Sequence, residues 1–157
     1  MRRTRIVQAA IPQASTVLDD DPLRYNLENV LRTVEAAGDL DPDFVTMPEL
    51  TLMAHVRDEI PAADLAQPIP GEATDAVGEV AAAIDSYVWL PMYERADGNL
   101  YNSVALIDPD GEVRGTYRKV APTDGEMELR GVTPGEELPT WDTEFGRVAA
   151  SICWDVR

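Results

Sequence analysis

The sequence predicts an α/β protein: a layered sheet with helices covering one face. Three observations carry this. Short β-leaning apolar runs recur along the chain, as in "RIVQAAI", "DFVTM", "YVWLPMYE" and "LYNSVALI". Between the first two runs lies a segment whose apolar residues repeat at three-four spacing. Strong turn signals, "ADGN" and "DPDG", then separate the later runs into a meander. The 157 residues are enough for one domain with a core of its own, and residues 1–157 read as a single unit.

"RIVQAAI" (5–11) is a plausible buried first strand. In the next segment Asp21 can cap and Pro22 suits a first helical turn. Leu23, Leu27, Val30, Leu31 and Val34 then line one helix face, ending near Gly38. "DFVTM" (43–47) is a second strand, stopped by Pro48. Residues 49–70 read as loop and short helix. "GEATDAVGEVAAAID" carries Thr74 followed by helix formers, a second helix. "YVWLPMYE" (87–94), "LYNSVALI" (100–107) and "EVRGTYRKV" (112–120) are successive strands of the meander. Residues 121–139, with glycine and proline, read as a long loop. "RVAASIC" (147–153) returns as an apolar strand that delivers Cys153 at its end. The order is β-α-β-α-β-β-β-loop-β, without repeats or low-complexity tracts.

Charge bounds the function. Twenty-nine acidic residues face thirteen basic ones, a net charge of -16, which argues against nucleic acid as a partner because phosphate is repelled. Twelve of the basic residues are arginine and one is lysine. An acidic, lysine-poor surface suits a salt-loving organism with a concentrated cytoplasm. Molar salt there screens self-repulsion within roughly 3 Å. An ordinary acidic protein is the plainer alternative. One cysteine excludes an internal disulfide framework and fits a reducing compartment, the cytoplasm. No apolar stretch approaches the ~20 residues that span a bilayer, so no membrane role is expected. "MRRTRIVQAAIPQ" reads as a strand rather than a signal peptide.

Two single-copy residues fall at predicted strand ends, where α/β sites are commonly built. Lys119 stands in "YRKV", Cys153 in "SICWDVR". A compact ammonium with three donors suits a developing oxyanion. A thiol attacks as the thiolate and needs a proton acceptor. His55 is the single histidine and lies in the polar stretch "AHVRDE". The better-placed acceptor is Glu49, in "VTMPEL", just past an apolar strand; partial burial can fit a carboxylate for proton transfer. A surviving chance lysine, a core cysteine and a solvated glutamate are the bland readings of the three.

"MPEL" around Glu49, "YRKV" around Lys119 and "SICWDVR" around Cys153 together resemble the carbon–nitrogen hydrolase (nitrilase) superfamily. "LYNSVALIDPDGEVRGTYRK" resembles that family's hairpin leading to its lysine, and "TEFGRVAASICWD" its approach to the cysteine. The resemblance covers nearly the whole chain. It implies a nitrilase-like α-β-β-α sandwich and a shared mechanism. Cys153 would be the nucleophile, Glu49 the general base and acid, and Lys119 the stabiliser of the tetrahedral intermediate, with a thioester acyl-enzyme between the half-reactions. A second glutamate is common near the lysine: Glu126 in "KVAPTDGE" or, alternatively, Glu128 before "LRGVTPG". The backbone N–H of Trp154 would face the oxyanion. No metal or organic cofactor is implied; the partners are a small amide, carbamoyl or nitrile substrate and water.

Two features leave choices open. The chain has "KVAPT" after the lysine, nearer to nitrilase-branch and aliphatic-amidase sequences, but Trp154-Asp155 after the cysteine, as in several amidases. Amide or carbamoyl hydrolysis is the first expectation, nitrile hydrolysis the second, and a non-catalytic remnant or interaction subunit the third. Family members also run to roughly twice this length. The expectation is therefore an apparently truncated sandwich, whose open sheet face is covered by a second copy or by the remaining half of the fold.

Overall fold

The structure, a computed structural model, describes residues 4–8, 21–54, 56 and 60–157. A five-stranded sheet runs in the order β1 (Ile6–Gln8), β2 (Phe44–Thr46), β3 (Tyr87–Ala96), β4 (Asn99–Ile107) and β5 (Val113–Arg118). The first three strands are parallel, and β3, β4 and β5 are antiparallel. The expected first strand is described at Ile6–Gln8, and residues 9–11 of "RIVQAAI" lie outside the described residues.

The connections are helical, as a parallel pair requires. Helix α1 (Pro22–Ala37) joins β1 to β2; the Asp21 carboxylate accepts from the Arg24 backbone N–H at 3.1 Å, closing its first turn. Between β2 and β3 come a 3-10 turn (Thr51–Met53), the short α2 (Ala62–Leu65) and α3 (Glu72–Ala83). Val30 and Val34 of α1 and Val77 and Ala81 of α3 pack with Val45, Val88, Leu90 and Met92 of the sheet. Full burial of each of these valines contributes roughly 1.5–3 kcal/mol over exposure.

The opposite face of the sheet carries aromatic residues. Along β3, Val88, Leu90 and Met92 meet the helices, while Tyr87 and Trp89 point the other way, the alternation of a strand covered on both sides. A hairpin of β6 (Trp141–Thr143) and β7 (Gly146–Val148) packs there through Trp141, Phe145 and Val148. Pro91 lies within β3 yet interrupts no ladder to β2, because the last β2–β3 pair is Thr46 with Trp89.

Two expectations are corrected. Residues 121–139 contain a helix, α4 (Asp124–Arg130), started by a capping box in which Thr123 Oγ1 accepts from the Glu126 N–H. The pattern Thr-x-x-Glu was present in "TDGE", but glycine and proline on either side masked it. The strand expected over 147–153 is shorter, Gly146–Val148, and pairs with β6. Residues 149–152 have no ladder partner among the described residues, so apolar content alone did not make them a strand. Cys153 begins a 3-10 turn, Cys153–Val156.

Candidate active site

The topology brings three loops to one end of the sheet. β2 and β3 end there, β4 starts there, and β5, reversed twice, ends there again. Glu49 follows β2, Asn102 sits near the start of β4, and Lys119 follows β5.

Glu49 is held from both sides. Leu50 after it adopts a left-handed backbone (φ 54°), strained for a branched residue. The turn that follows is anchored by Asn26, buried on α1, whose amide donates to the Leu52 and Ala54 carbonyls at 2.9 and 3.0 Å. A carboxylate just beyond a strand is thus placed by a helix distant in sequence.

Lys119 is the centre of the cluster and is 1% exposed. Its Nζ donates to Glu49 Oε1 at 2.8 Å and to Glu126 Oε2 at 2.8 Å and Oε1 at 3.1 Å. Burial pushes the ammonium pKa down, but the bonds and charges of Glu126 and Glu49 outweigh it and hold the pKa above its ordinary value. For Glu126, burial pushes the carboxyl up; hydrogen bonds from Lys119, the Thr123 backbone and Asn102 overcome that and hold it below the ordinary value. Glu126 accepts from the Thr123 N–H at 2.8 Å, so α4 is fastened to the lysine by its own capping residue. Glu128, the alternative second glutamate, is exposed on the same helix and makes no ion pair with Lys119.

Cys153 is exposed and in the left-handed region (φ 47°). With Glu49 it lines one cavity of about 350 Å³, walled by Met47, Trp89, Pro91, Val104 and Ile152. Two oxygens of Asp155 brace the cysteine turn. Oδ2 accepts from the Ile152 N–H at 2.8 Å and from the Tyr117 hydroxyl at 2.6 Å, and Oδ1 accepts from the Ala121 N–H at 2.9 Å. The segments carrying Cys153 and Lys119 are thereby tied together. Burial, then the bond to Asp155, push the Tyr117 phenol up to about 12, so it stays a donor. Trp154 is partly exposed, with the Arg157 guanidinium stacked 3.0 Å from its ring centroid.

The arrangement sets a thiol and a carboxylate on one cavity, with an ammonium bonded to the carboxylate from behind. Glu49, Lys119 and Glu126 are brought into contact, and Cys153 shares the cavity with Glu49. His55 lies outside the described residues. Sequence reasoning missed Asn102, Tyr117 and Asp155. Asn102 had a signal, a lone amide inside the apolar run "LYNSVALI". Asp155 had only its place two residues after the single cysteine. Among the described residues no group of three or more histidine, cysteine and carboxylate side chains is arranged to hold a metal ion, and no helix is long and apolar enough to cross a membrane.

Comparison with known proteins bears on the fold and the family. The chain is similar to solved structures of low identity, which speak for the fold. A carbon-nitrogen hydrolase from Helicobacter pylori superimposes with a TM-score of 0.79 at 22% identity, over 97% of this chain and 52% of that one. A variant of an amidase from Nesterenkonia sp., in complex with butyramide, does so with a TM-score of 0.74 at 19% identity, over 98% of this chain and 57% of that one. Among curated proteins, Nitrilase 3 of an unknown prokaryote is 29% identical over 165 residues, 96% of this chain and 49% of its own length. The omega-amidase of Homo sapiens is 34% identical over 102 residues, 60% of this chain and 37% of its own. The chain spans about half the length of the curated relatives that match nearly all of it. The carbon-nitrogen hydrolase family model matches residues 3–157, and the chain belongs to that family.

Proposed function

We propose that the protein hydrolyses a non-peptide carbon–nitrogen bond, an amide or carbamoyl bond, through Cys153, Glu49 and Lys119. The observation that supports this best is the cavity shared by Cys153 and Glu49, with Lys119 bonded to the same glutamate. In this reading Glu49 takes the thiol proton as Cys153 Sγ bonds to the carbonyl carbon. The oxyanion that forms is stabilised by the Lys119 ammonium and the Trp154 backbone N–H, which stands in the first turn of a 3-10 segment where N–H groups lack an intrahelical acceptor. Glu49 returns the proton to the leaving nitrogen, the C–N bond breaks and a thioester remains. Glu49 then takes a proton from water, whose oxygen bonds to the acyl carbon, and the acid leaves as the thiol is restored. Glu126 keeps Lys119 charged and in place.

The experiment is ammonia release from butyramide, the amide bound by the structural relative from Nesterenkonia sp.. Wild type is expected to turn over, with an acyl adduct on Cys153 by mass spectrometry. Cys153→Ala should do neither, and Lys119→Ala should lose roughly 10²–10³ in kcat, the effect of removing an oxyanion donor. Wild-type protein that neither turns over nor forms the adduct would favour the non-catalytic reading. Nitrile hydrolysis is the second reading, because the relatives matching 95–98% of the chain carry nitrilase names. Ammonia from butyronitrile but not butyramide would select it.

The reading extends to setting. A single free cysteine and a surface without lysine suit a reducing, salt-rich cytoplasm. Exposed Leu129, Leu138, Trp154 and Val156 suit assembly of several copies. Light scattering giving a multiple of the chain mass is expected, and a lone monomer at micromolar concentration would refute assembly.

A further inference from the structure

Asn102 lies between the two glutamates and is fully buried. Its single amide nitrogen donates to Glu49 Oε1 and to Glu126 Oε1, each at 2.7 Å. Lys119 spans the same two carboxylates from the other side. The four groups therefore form a closed ring, two acceptors alternating with two donors. Both donors meet Glu49 on Oε1, and among the described residues Oε2 accepts no hydrogen bond.

The other end of the amide is the informative one. Asn102 Oδ1 is buried and has no hydrogen-bond partner among the described residues. A buried acceptor left unsatisfied weighs against stability, so packing alone does not account for an amide here. Turning the amide over would satisfy nothing, because it would set Oδ1 against two carboxylates. The side chain is held in this orientation by its donors and serves through them.

We infer that Asn102 is a positioning residue for the proposed hydrolysis. By donating to Glu49 on Oε1 it holds that carboxylate in one orientation and reserves Oε2 for the proton of Cys153. This rests on the reading of Glu49 as base. It adds a residue to that reading and a division of labour between the two glutamate oxygens. One oxygen is tethered by Asn102 and Lys119, the other exchanges the proton. Glu126, bonded on both oxygens, serves as the anion that faces Lys119.

The test is the pH dependence of Cys153 alkylation by iodoacetamide, followed by mass spectrometry. In that step the S–C bond forms, iodide leaves with the C–I electron pair, and the thiol proton passes to Glu49. Wild type, Glu49→Gln, Asn102→Leu and Asn102→Ser are compared, with folding checked by circular dichroism. Leucine removes both donors at similar volume, and serine keeps one donor and fits in less space. In Asn102→Leu the acid limb of the profile should move to higher pH, and the rate at pH 6 should fall roughly tenfold, the effect of one lost charge-assisted hydrogen bond. Asn102→Ser should lie between it and wild type, and it carries the test if the leucine variant does not fold. A purely structural role would lower the yield of folded protein but leave the limb in place. An unmoved limb in both Asn102 variants, beside a large loss in Glu49→Gln, would overturn this inference and spare the proposed function. An unaffected Glu49→Gln would remove the base itself and overturn both.

Discussion

Lys119 keeps its charge in a buried site because two carboxylates oppose its desolvation, and this makes the cluster pH-sensitive at both ends. Glu126 has a folded pKa below its ordinary 4.5, so its contribution to stability is present above that value and lost as pH falls through the folded pKa. Lys119 has a folded pKa above 10.5, so its contribution is full below that value and lost as pH rises through the folded pKa. Glu126→Gln is therefore expected to be less stable than wild type at pH 7, with the gap narrowing as pH drops below about 4.5. Urea unfolding at pH 7, 4.5 and 3 measures it; a gap that stays constant would mean that the carboxylate charge is not what stabilises. The residue types were legible here, since lysine and cysteine each occur once. The choice between Glu126 and Glu128 was not. Two positions along a helix turn a side chain to a different face, so α4 had to be seen before one of them could be set on Lys119.

At the scale of elements, the Cys153 turn depends on β5. Asp155 bonds Tyr117 within that strand and Ala121 just beyond it, while accepting from the Ile152 N–H beside Cys153. A cysteine with left-handed backbone carries about 1–2 kcal/mol of local strain, and these bonds oppose its relaxation. Asp155→Ala should lower the alkylation rate of Cys153 while leaving the thermal midpoint within a few degrees, since much of the loss is local. A midpoint drop with an unchanged rate would show that the brace serves folding instead. Close approach governs two other joints. A Cβ at Gly78 of α3 would meet the Gly111 carbonyl in the β4–β5 turn, and one at Gly115 would meet the Trp141 ring that covers the sheet. Gly78→Ala should therefore destabilise by about 1–3 kcal/mol in denaturant titration, against the slight gain that alanine gives an exposed helix. The helix period and the meander could be read from the chain. These contacts could not, because each joins residues more than twenty positions apart.

For the whole molecule, a net charge of -16 over 157 residues is a term in stability. Self-repulsion weakens as salt shortens the screening length from about 10 Å at 0.1 M to 3 Å at 1 M. The thermal midpoint is expected to rise from 0.1 to 2 M KCl, with equal concentrations of chloride salts of different cations behaving alike if screening is the cause. A midpoint that falls with KCl would mean that ion pairs such as Arg118 with Glu94 outweigh the general repulsion.

Read alone, the sequence determined the class of fold, the helix faces, the meander and the three motif positions, because these depend on short-range periodicity and on residues within a few places of each other. "VTMPEL", "YRKV" and "SICWDV" each announce a strand end or turn with one reactive side chain. Tertiary structure alone decided what those side chains meet. Asn102 and Lys119 bridge Glu49 and Glu126 only because β5 doubles back beside β4, and Cys153 reaches the cavity of Glu49 only because Asp155 ties its turn to β5. The physical reason is distance along the chain. Hydrogen bonds and charge interactions act over a few ångströms in space, and nothing in the spacing of residues 49, 102, 119 and 153 encodes which oxygens and nitrogens come within that range.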